Sequence, residues 1–255
     1  MIAFVAGLAF SAEAENWPSW RGDVAGSGIV RGEKIPLEWG TKKNVRWRVP
    51  LPDRGNSSPI VWGDKVFITQ ATDSDKRRTV MCFDKRTGEL LWRTGVTYTK
   101  AEKTHKTNPY CSGSPATDGR VVVANYASAG VAAYDLEGQQ LWHRKLGPQD
   151  HIWGNGTSPV LFGDLCIVYH GPGPRSSLHA LDKLSGRTVW KRKVQEKDDP
   201  NRVDGFRGAN GGINGAFTTP IIIEVQGRHE LILSEANTLR ALSPEDGSEL
   251  WRCNG

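Results

Sequence analysis

Long apolar runs, paired metal ligands and clustered cysteines are all scarce in this 255-residue chain. No stretch approaches the ~20 apolar residues that a helix needs to cross a bilayer, so the chain is expected not to be transmembrane. The six histidines, His105, His143, His151, His170, His179 and His229, show no paired metal spacing. Four cysteines, Cys82, Cys111, Cys166 and Cys253, form neither a C-x-x-C nor an adjacent pair, which argues against thiolate metal binding. No Ser sits in a nucleophile elbow. The Gly-rich run 211–215 is followed by no helix that would bind phosphate. No catalytic residue and no metal site are therefore expected.

What is abundant points elsewhere. Gly (29), Pro (14) and Trp (10) are plentiful while hydrophobic residues reach only 38%, a composition suited to short strands and tight turns. The net charge of +5 comes from 33 basic and 28 acidic residues. Its basic clusters (Lys42-Lys43, Lys76-Arg77-Arg78, Lys191-Arg192-Lys193) are short and read as solvated surface, so no nucleic-acid partner is expected.

The N-terminus reads as an export signal. Residues 2–10 are apolar or small, and Ala12-Glu13-Ala14 fits the small-x-small rule for cleavage. Residues 1–14 are expected to be removed, leaving a periplasmic or secreted protein that starts near Glu15. No Lys or Arg precedes the apolar run, and a buried first strand is the other reading. No Cys stands at the cleavage point to carry a lipid.

Self-similarity decides the fold class. A Gly stands four residues before a Trp at Gly88/Trp92, Gly138/Trp142, Gly186/Trp190 and Gly247/Trp251. Asp84, Asp135, Asp182 and Ser243 open these turns, and Ser58-Pro59, Ser114-Pro115, Ser158-Pro159 and Thr219-Pro220 lie upstream. Each unit reads as four strands. In the first they fall at residues 59–62, 65–71, 79–84 and 89–94, with Val66 and Ile68 alternating as in a half-buried strand. Asp can accept backbone N–H bonds in the third turn, and Gly can take the positive φ that closes it. Trp then lies on the outer strand, where its indole can cover the neighbouring sheet and donate to a carbonyl.

The run Cys82-Phe83-Asp84-Lys85-Arg86-Thr87-Gly88-Glu89-Leu90-Leu91-Trp92 resembles the Ala-x-Asp-x-x-Thr-Gly-x-x-x-Trp motif of pyrroloquinoline-quinone (PQQ) type propeller repeats. The units ending at Trp142, Trp190 and Trp251 resemble it too, and Trp17-Pro18-Ser19-Trp20-Arg21-Gly22 resembles the opening of exported members. The resemblance implies an all-β propeller of four-stranded antiparallel blades at residues 58–94, 114–144, 158–192 and 219–253, within a domain of residues 15–255. Trp47, Trp92, Trp142, Trp190 and Trp251 would dock one blade on the next. Residues 44–49 look like an orphan outer strand. The resemblance therefore implies a ring of seven or eight blades with the C-terminal ones missing; a closed four-bladed ring is the alternative. Cys82 and Cys166 take core positions in different blades, too far apart to bridge.

Ligands of such propellers usually bind at the channel mouth, on the loops that lead into each blade's first strand. Here those loops, residues 93–113, 143–157 and 191–218, are long and unlike one another. They carry Lys106, Asn108, Tyr110, His151, Trp153, Asn155, Asn210 and Asn214, with Arg54 and Asn56 from the shorter first loop. This is a polar rim with aromatic interleaving, suited to a carbohydrate, a peptide or a flat cofactor; equally, Asn and Gly can simply make the turns.

Two functions remain. One is an exported non-catalytic module that binds or scaffolds a protein or a cell-envelope polymer and needs no cofactor. The other is a quinoprotein dehydrogenase oxidising alcohols or sugars, which would need PQQ and calcium. The alcohol-oxidising relatives carry an adjacent Cys-Cys pair that this chain lacks, so the first reading is favoured.

Overall fold

The computed structural model describes residues 16–30, 35–173, 175–194, 216–236 and 238–254. The expected signal segment, Asn210 and Asn214 lie outside them. The described residues form four separate four-stranded sheets, each laid down in chain order. The first blade holds β1 (Ile60–Trp62), β2 (Lys65–Thr72), β3 (Arg77–Asp84) and β4 (Leu90–Thr97). The second holds β5 (Ala116–Thr117), β6 (Val122–Asn125), β7 (Val131–Tyr134) and β8 (Gln140–Arg144). The third holds β9 (Val160–Phe162), β10 (Leu165–His170), β11 (Ser177–Asp182) and β12 (Thr188–Lys193). The fourth holds β13 (Ile221–Val225), β14 (Arg228–Ser234), β15 (Thr238–Leu242) and β16 (Glu249–Asn254). Every pairing is antiparallel, so the meander inferred from the repeat is the observed topology. In the first blade β3 begins at Arg77 and β4 ends at Thr97, both further than the repeat suggested, because the ladder continues while partners remain.

Alternation along the middle strands explains why blades stack. Val122 and Ala124 of β6 pack with Phe67, Ala71, Val80 and Cys82 of the first blade. Val123 and Val131 face the other way, onto Leu161, Cys166, Val168 and Leu181 of the third. Ile167, Tyr169, Leu178 and Ala180 then meet Ile222, Leu231, Leu233 and Leu242 of the fourth. A period of two thus buries both faces of each central sheet, and the core is a series of inter-blade layers. Cys82, Cys111 and Cys166 are buried free thiols pushed up to about 12 by desolvation, so they behave as small apolar residues.

The tryptophans join the blades at one edge. Trp92 Nε1 donates to Leu136 O at 3.0 Å, Trp142 to Lys183 O at 2.9 Å and Trp190 to Pro244 O at 2.9 Å. Each acceptor directly follows the residue that opens the next blade's third turn. The same indoles lie flat on the glycines of those turns: a Cβ on Gly138 would sit 2.7 Å from Trp92. Asp84 holds such a turn shut by accepting from Arg86 N and Thr87 N at 2.8 Å, and the Thr87 bond is the leading reason that its carboxyl titrates low. Opposite each Trp in the ladder stands a small residue, Cys82, Ala133, Ala180 or Ala241, and a bulge follows it in all four blades. The bulge re-aims the outer strand so that the ring leans over the neighbour.

A second belt ties the opposite ends of the first strands. Ser58 N donates to Ser114 Oγ, Ser114 N to Ser158 Oγ and Ser158 N to Thr219 Oγ1, at 2.9–3.0 Å. These are the hydroxyl residues that precede each repeat's proline. Inside the arc runs the segment from Asn16. Trp17 exchanges two bonds with Val61, Pro18 O accepts from Thr117 N and Val24 O accepts from Ile222 N, each at 2.8 Å. A single short segment reaches three sheets only because their first strands face one axis.

The two flanks of the arc differ from its interior. Residues 44–49 take part in no ladder among the described residues, since an outer strand exists only beside a third strand; yet Trp47 Nε1 still donates to Lys85 O at 2.9 Å and its ring covers Gly88. That contact fills the first blade's turn, so Trp251 does not dock there and the four blades do not close on one another. Trp251 instead donates to the Glu230 carboxylate at 2.6 Å and stays 37% exposed.

Gly138→Ala is expected to cost about 3 kcal/mol in urea unfolding, from the left-handed backbone and the crowded Trp92 ring together. Gly163→Ala, at φ +54° with nothing within 4 Å, is expected to cost about 1 kcal/mol. Equal costs would remove the indole from the explanation.

Candidate functional site

Strand direction places the loops before each first strand, and the loops joining second to third strands, on one face of the arc. Most of the polar rim lies there. Arg54 Nη1 donates to Lys106 O at 3.2 Å, and Asn56 Nδ2 to Thr107 O at 2.8 Å. Asn108 Nδ2 donates to Trp153 O at 2.6 Å and to Asn155 O at 3.3 Å. Asn155 Nδ2 reaches Gly171 O at 2.5 Å and Thr157 Oγ1 at 3.2 Å. His105 packs on Trp153 with centroids 4.5 Å apart, and His151 on Phe217 at 5.2 Å. The first three of these loops thus hand a side-chain donor to the backbone of the adjoining loop. Eight of the ten rim candidates are brought together on this face; Asn210 and Asn214 are outside the described residues.

The asparagines make turns and bridge loops at the same time. Their amides satisfy carbonyls that irregular backbone leaves open, which fixes the rim before anything binds. Lys106 contributes its carbonyl to this lattice, and Tyr110 turns its hydroxyl to Glu102 O at 2.8 Å.

Below the rim lies a narrow, open cleft lined by Arg78, Glu102, Tyr110, Asn125, Gln149 and His151, among others. Arg78 is the correction to the reading of its basic cluster as solvated surface: it is 1% exposed. Its ladder partner is Ala71, small enough to leave room beside it, and its guanidinium lies 3.9 Å from the Tyr110 ring centroid. Glu102 answers the charge at 3.1 Å, and Arg78 also donates to Asp75 O. Glu102 Oε1 then accepts from Ser128 N at 3.0 Å, and Ser128 Oγ accepts from Gln149 N at 2.8 Å. Gln149 Nε2 meets His170 Nδ1 at 2.9 Å.

This polar chain crosses three blades, from β3 through the second blade to β10. None of Arg78, Glu102, Ser128, Gln149 and His170 stood out as a site residue in the sequence. The signals were faint: an Arg opposite Ala within a strand, and a Glu within a loop of otherwise basic residues.

Burial sets the electrostatics on the third blade. Desolvation pulls His170 down to about 4, helped by His179 with its ring centroid 6.1 Å away. Burial likewise lowers His179 to about 4, with Lys191 adding to it. Both rings are therefore neutral at pH 7. Asp150, beside the cleft, pairs with Lys103 at 3.0 Å in the open.

Comparison with known proteins agrees with this architecture. A family profile described as outer membrane protein assembly factor BamB matches residues 37–171 and 174–254. A polyvinylalcohol dehydrogenase from a Pseudomonas species is 21% identical over 197 residues, covering 72% of this chain and 30% of that protein. The outer membrane protein assembly factor BamB of Alkalilimnicola ehrlichii is 24% identical over 200 residues, 78% of this chain and 43% of its own. Among solved structures, a europium-containing methanol dehydrogenase superposes with a TM-score of 0.65 at 14% identity, over 95% of this chain and 49% of that one. A quinohemoprotein alcohol dehydrogenase from Comamonas testosteroni gives 0.61 at 16% identity, over 96% and 42%. These structural likenesses establish the propeller fold. The chain spans less than half the length of each of these relatives.

Two measurements probe the cleft. Glu102→Gln leaves the Arg78 charge buried and unanswered, and is expected to cost about 3–5 kcal/mol in chemical denaturation. Lys103→Ala, breaking an exposed pair, is expected to cost under about 1 kcal/mol. The buried histidines fix a pH response of definite sign. Their folded pKa values lie below the ordinary 6.5, so the unfolded chain binds more protons between about pH 6.5 and 4. Stability is expected to fall as pH drops through that window, and His170→Phe should flatten the fall.

Proposed function

The chain belongs to the PQQ-like propeller repeat family, and on that premise we propose that it is a non-catalytic, exported binding module that holds a protein partner at its mouth face. One observation carries this reading: the rim's polar side chains are spent on neighbouring loops. A rim built in this way is preorganised, and preorganisation favours binding because little order is lost on association. Aromatic rings at His105, Trp153, His151 and Phe217 give it the mixed apolar and polar character of protein recognition surfaces. Membership of a family described by an outer-membrane assembly factor supports a protein partner and an envelope location, periplasmic or secreted.

The dehydrogenase reading would need a different donor set. PQQ is a flat tricarboxylate, so its site requires cations free to pair with it, and calcium requires six to eight oxygen ligands. Among the described residues no three His, Cys, Asp or Glu side chains converge. Glu102 and Asp150 are already paired, and the buried Arg78 guanidinium is shared between Glu102 and Asp75 O. These engaged side chains support the reading without quinone or metal, and no reaction step is assigned.

The test has two arms. With added PQQ and calcium, the purified chain is expected to show no quinone absorbance after desalting and no dye-linked oxidation of alcohols or sugars. A photo-crosslinker in place of Lys106 is expected to trap a discrete envelope protein, whereas one in place of Glu245 on the opposite face should not. Turnover would overturn the non-catalytic reading, and equal labelling from both faces would overturn the mouth as the binding surface.

A further inference from the structure

The mouth loop that enters the second blade has turned its acceptors inward. From His105 to Pro109 every backbone carbonyl already takes a bond. His105 O accepts from Asn108 N at 2.8 Å, Lys106 O from Arg54 Nη1 at 3.2 Å and Thr107 O from Asn56 Nδ2 at 2.8 Å. Asn108 O accepts from Thr104 Oγ1, and Pro109 O from Ser112 Oγ at 2.6 Å. The His105 ring spends Nδ1 in the same way, accepting from Thr107 N at 3.3 Å with Thr107 Oγ1 at 2.7 Å. A neutral imidazole that accepts at Nδ1 carries its proton on Nε2.

What remains for solvent at this corner is donors. Arg54 and Lys106 are both exposed. The bond to Lys106 O holds the Arg54 guanidinium at the loop, while its other N–H groups and the Lys106 ammonium meet no acceptor among the described residues. The carboxylates of this face are engaged or stand on other loops. Asp53 accepts from Arg54 N at 2.7 Å, Glu102 is buried against Arg78, and Asp150 pairs with Lys103. Glu235 pairs with Arg240 on the fourth blade, and Asp73 and Asp75 share the loop from β2 to β3 with Lys76. Beside the free donors lies the stack of His105 on Trp153, with centroids 4.5 Å apart.

We propose, resting on the mouth as the binding surface, that this corner receives an acidic segment of the protein partner: a carboxylate meets Arg54 and Lys106, and an apolar neighbour covers the His105–Trp153 stack. Charged N–H donors make their strongest bonds to carboxylates, and Arg does so through paired N–H groups. A neutral peptide would leave both cations unanswered where it covers them, which weakens it against an acidic one. The aromatic stack beside the cations gives an apolar contact next to a charged one, as protein recognition surfaces do. Both cations stand in the open, where a partner's side chains can reach them.

The purified whole chain is titrated with a fluorescein-labelled Glu-Phe repeat peptide and with its Gln-Phe counterpart, read by anisotropy. The Glu peptide is expected to bind at least about tenfold more tightly, and to weaken as salt rises. Arg54→Glu with Lys106→Glu should remove that advantage. The same charge change on the opposite face, Arg120→Glu with Arg187→Glu, should leave it within about twofold. Melting is read alongside; should the rim reversal fail to fold, Arg54→Gln with Lys106→Gln takes its place, with the same loss expected. No binding, equal binding of the two peptides, or equal loss in the rim and opposite-face variants overturns the proposal. Heparin displacing the Glu peptide at matched charge overturns it too, because the corner would then take any polyanion. If crosslinking from position 106 traps an envelope protein while the two peptides bind alike, the acidic assignment falls and the mouth stands. If crosslinking does not favour the mouth, the binding surface falls and the assignment with it.

Discussion

One contact organises this protein: the face of an indole resting on a glycine in the next blade's turn, with the ring N–H bonded to that turn's backbone. A four-stranded sheet with apolar faces cannot persist alone in water, and a flat stack of sheets would have no fixed curvature. The indole supplies both adhesion and angle. It demands glycine beneath it, a small residue opposite it in the ladder, and a bulge that tips the outer strand. Those three requirements recur in every blade, which is why the repeat is so regular at its third turn and so free elsewhere.

The hydroxyl belt and the inner segment complete the arc. Ser58, Ser114, Ser158 and Thr219 link the starts of the first strands, while the segment from Trp17 to Val24 links the first, second and fourth blades along the axis. Bonds at both the axis and the periphery hold each blade against rotation. The mouth loops can therefore be long without becoming loose, since their anchors are fixed at both ends. Their asparagines then bond across the gaps, and the buried chain from Arg78 to His170 runs beneath them.

Much of this was legible in the sequence, for a definite reason. Trp92, Gly138 and their counterparts repeat, and repetition exposes a constraint even when a single copy would not. The mouth is not repeated, so its residues could be nominated only by chemistry and loop length. Arg54, Asn56, Asn108, Tyr110 and Asn155 were nominated in that way, but the sequence could not tell whether their side chains face a ligand or one another. Arg78 was misread because a basic triplet looks solvated until a distant Glu is shown beside it. Gln149 and His170 come together only through the fold, being 21 residues apart on different elements.

The unequal surroundings of the tryptophans allow the organising contact to be tested within one molecule. Trp142 rests on a neighbouring turn, whereas among the described residues the Trp251 N–H meets a carboxylate of its own sheet. Unfolding free energies of Trp142→Ala and Trp251→Ala, measured side by side, compare an indole that clamps two blades with one that does not. The account predicts a loss of about 3–5 kcal/mol for Trp142 and a much smaller one for Trp251. Equal losses at the two positions would contradict it, because the rings would then act within their own sheets and not between them.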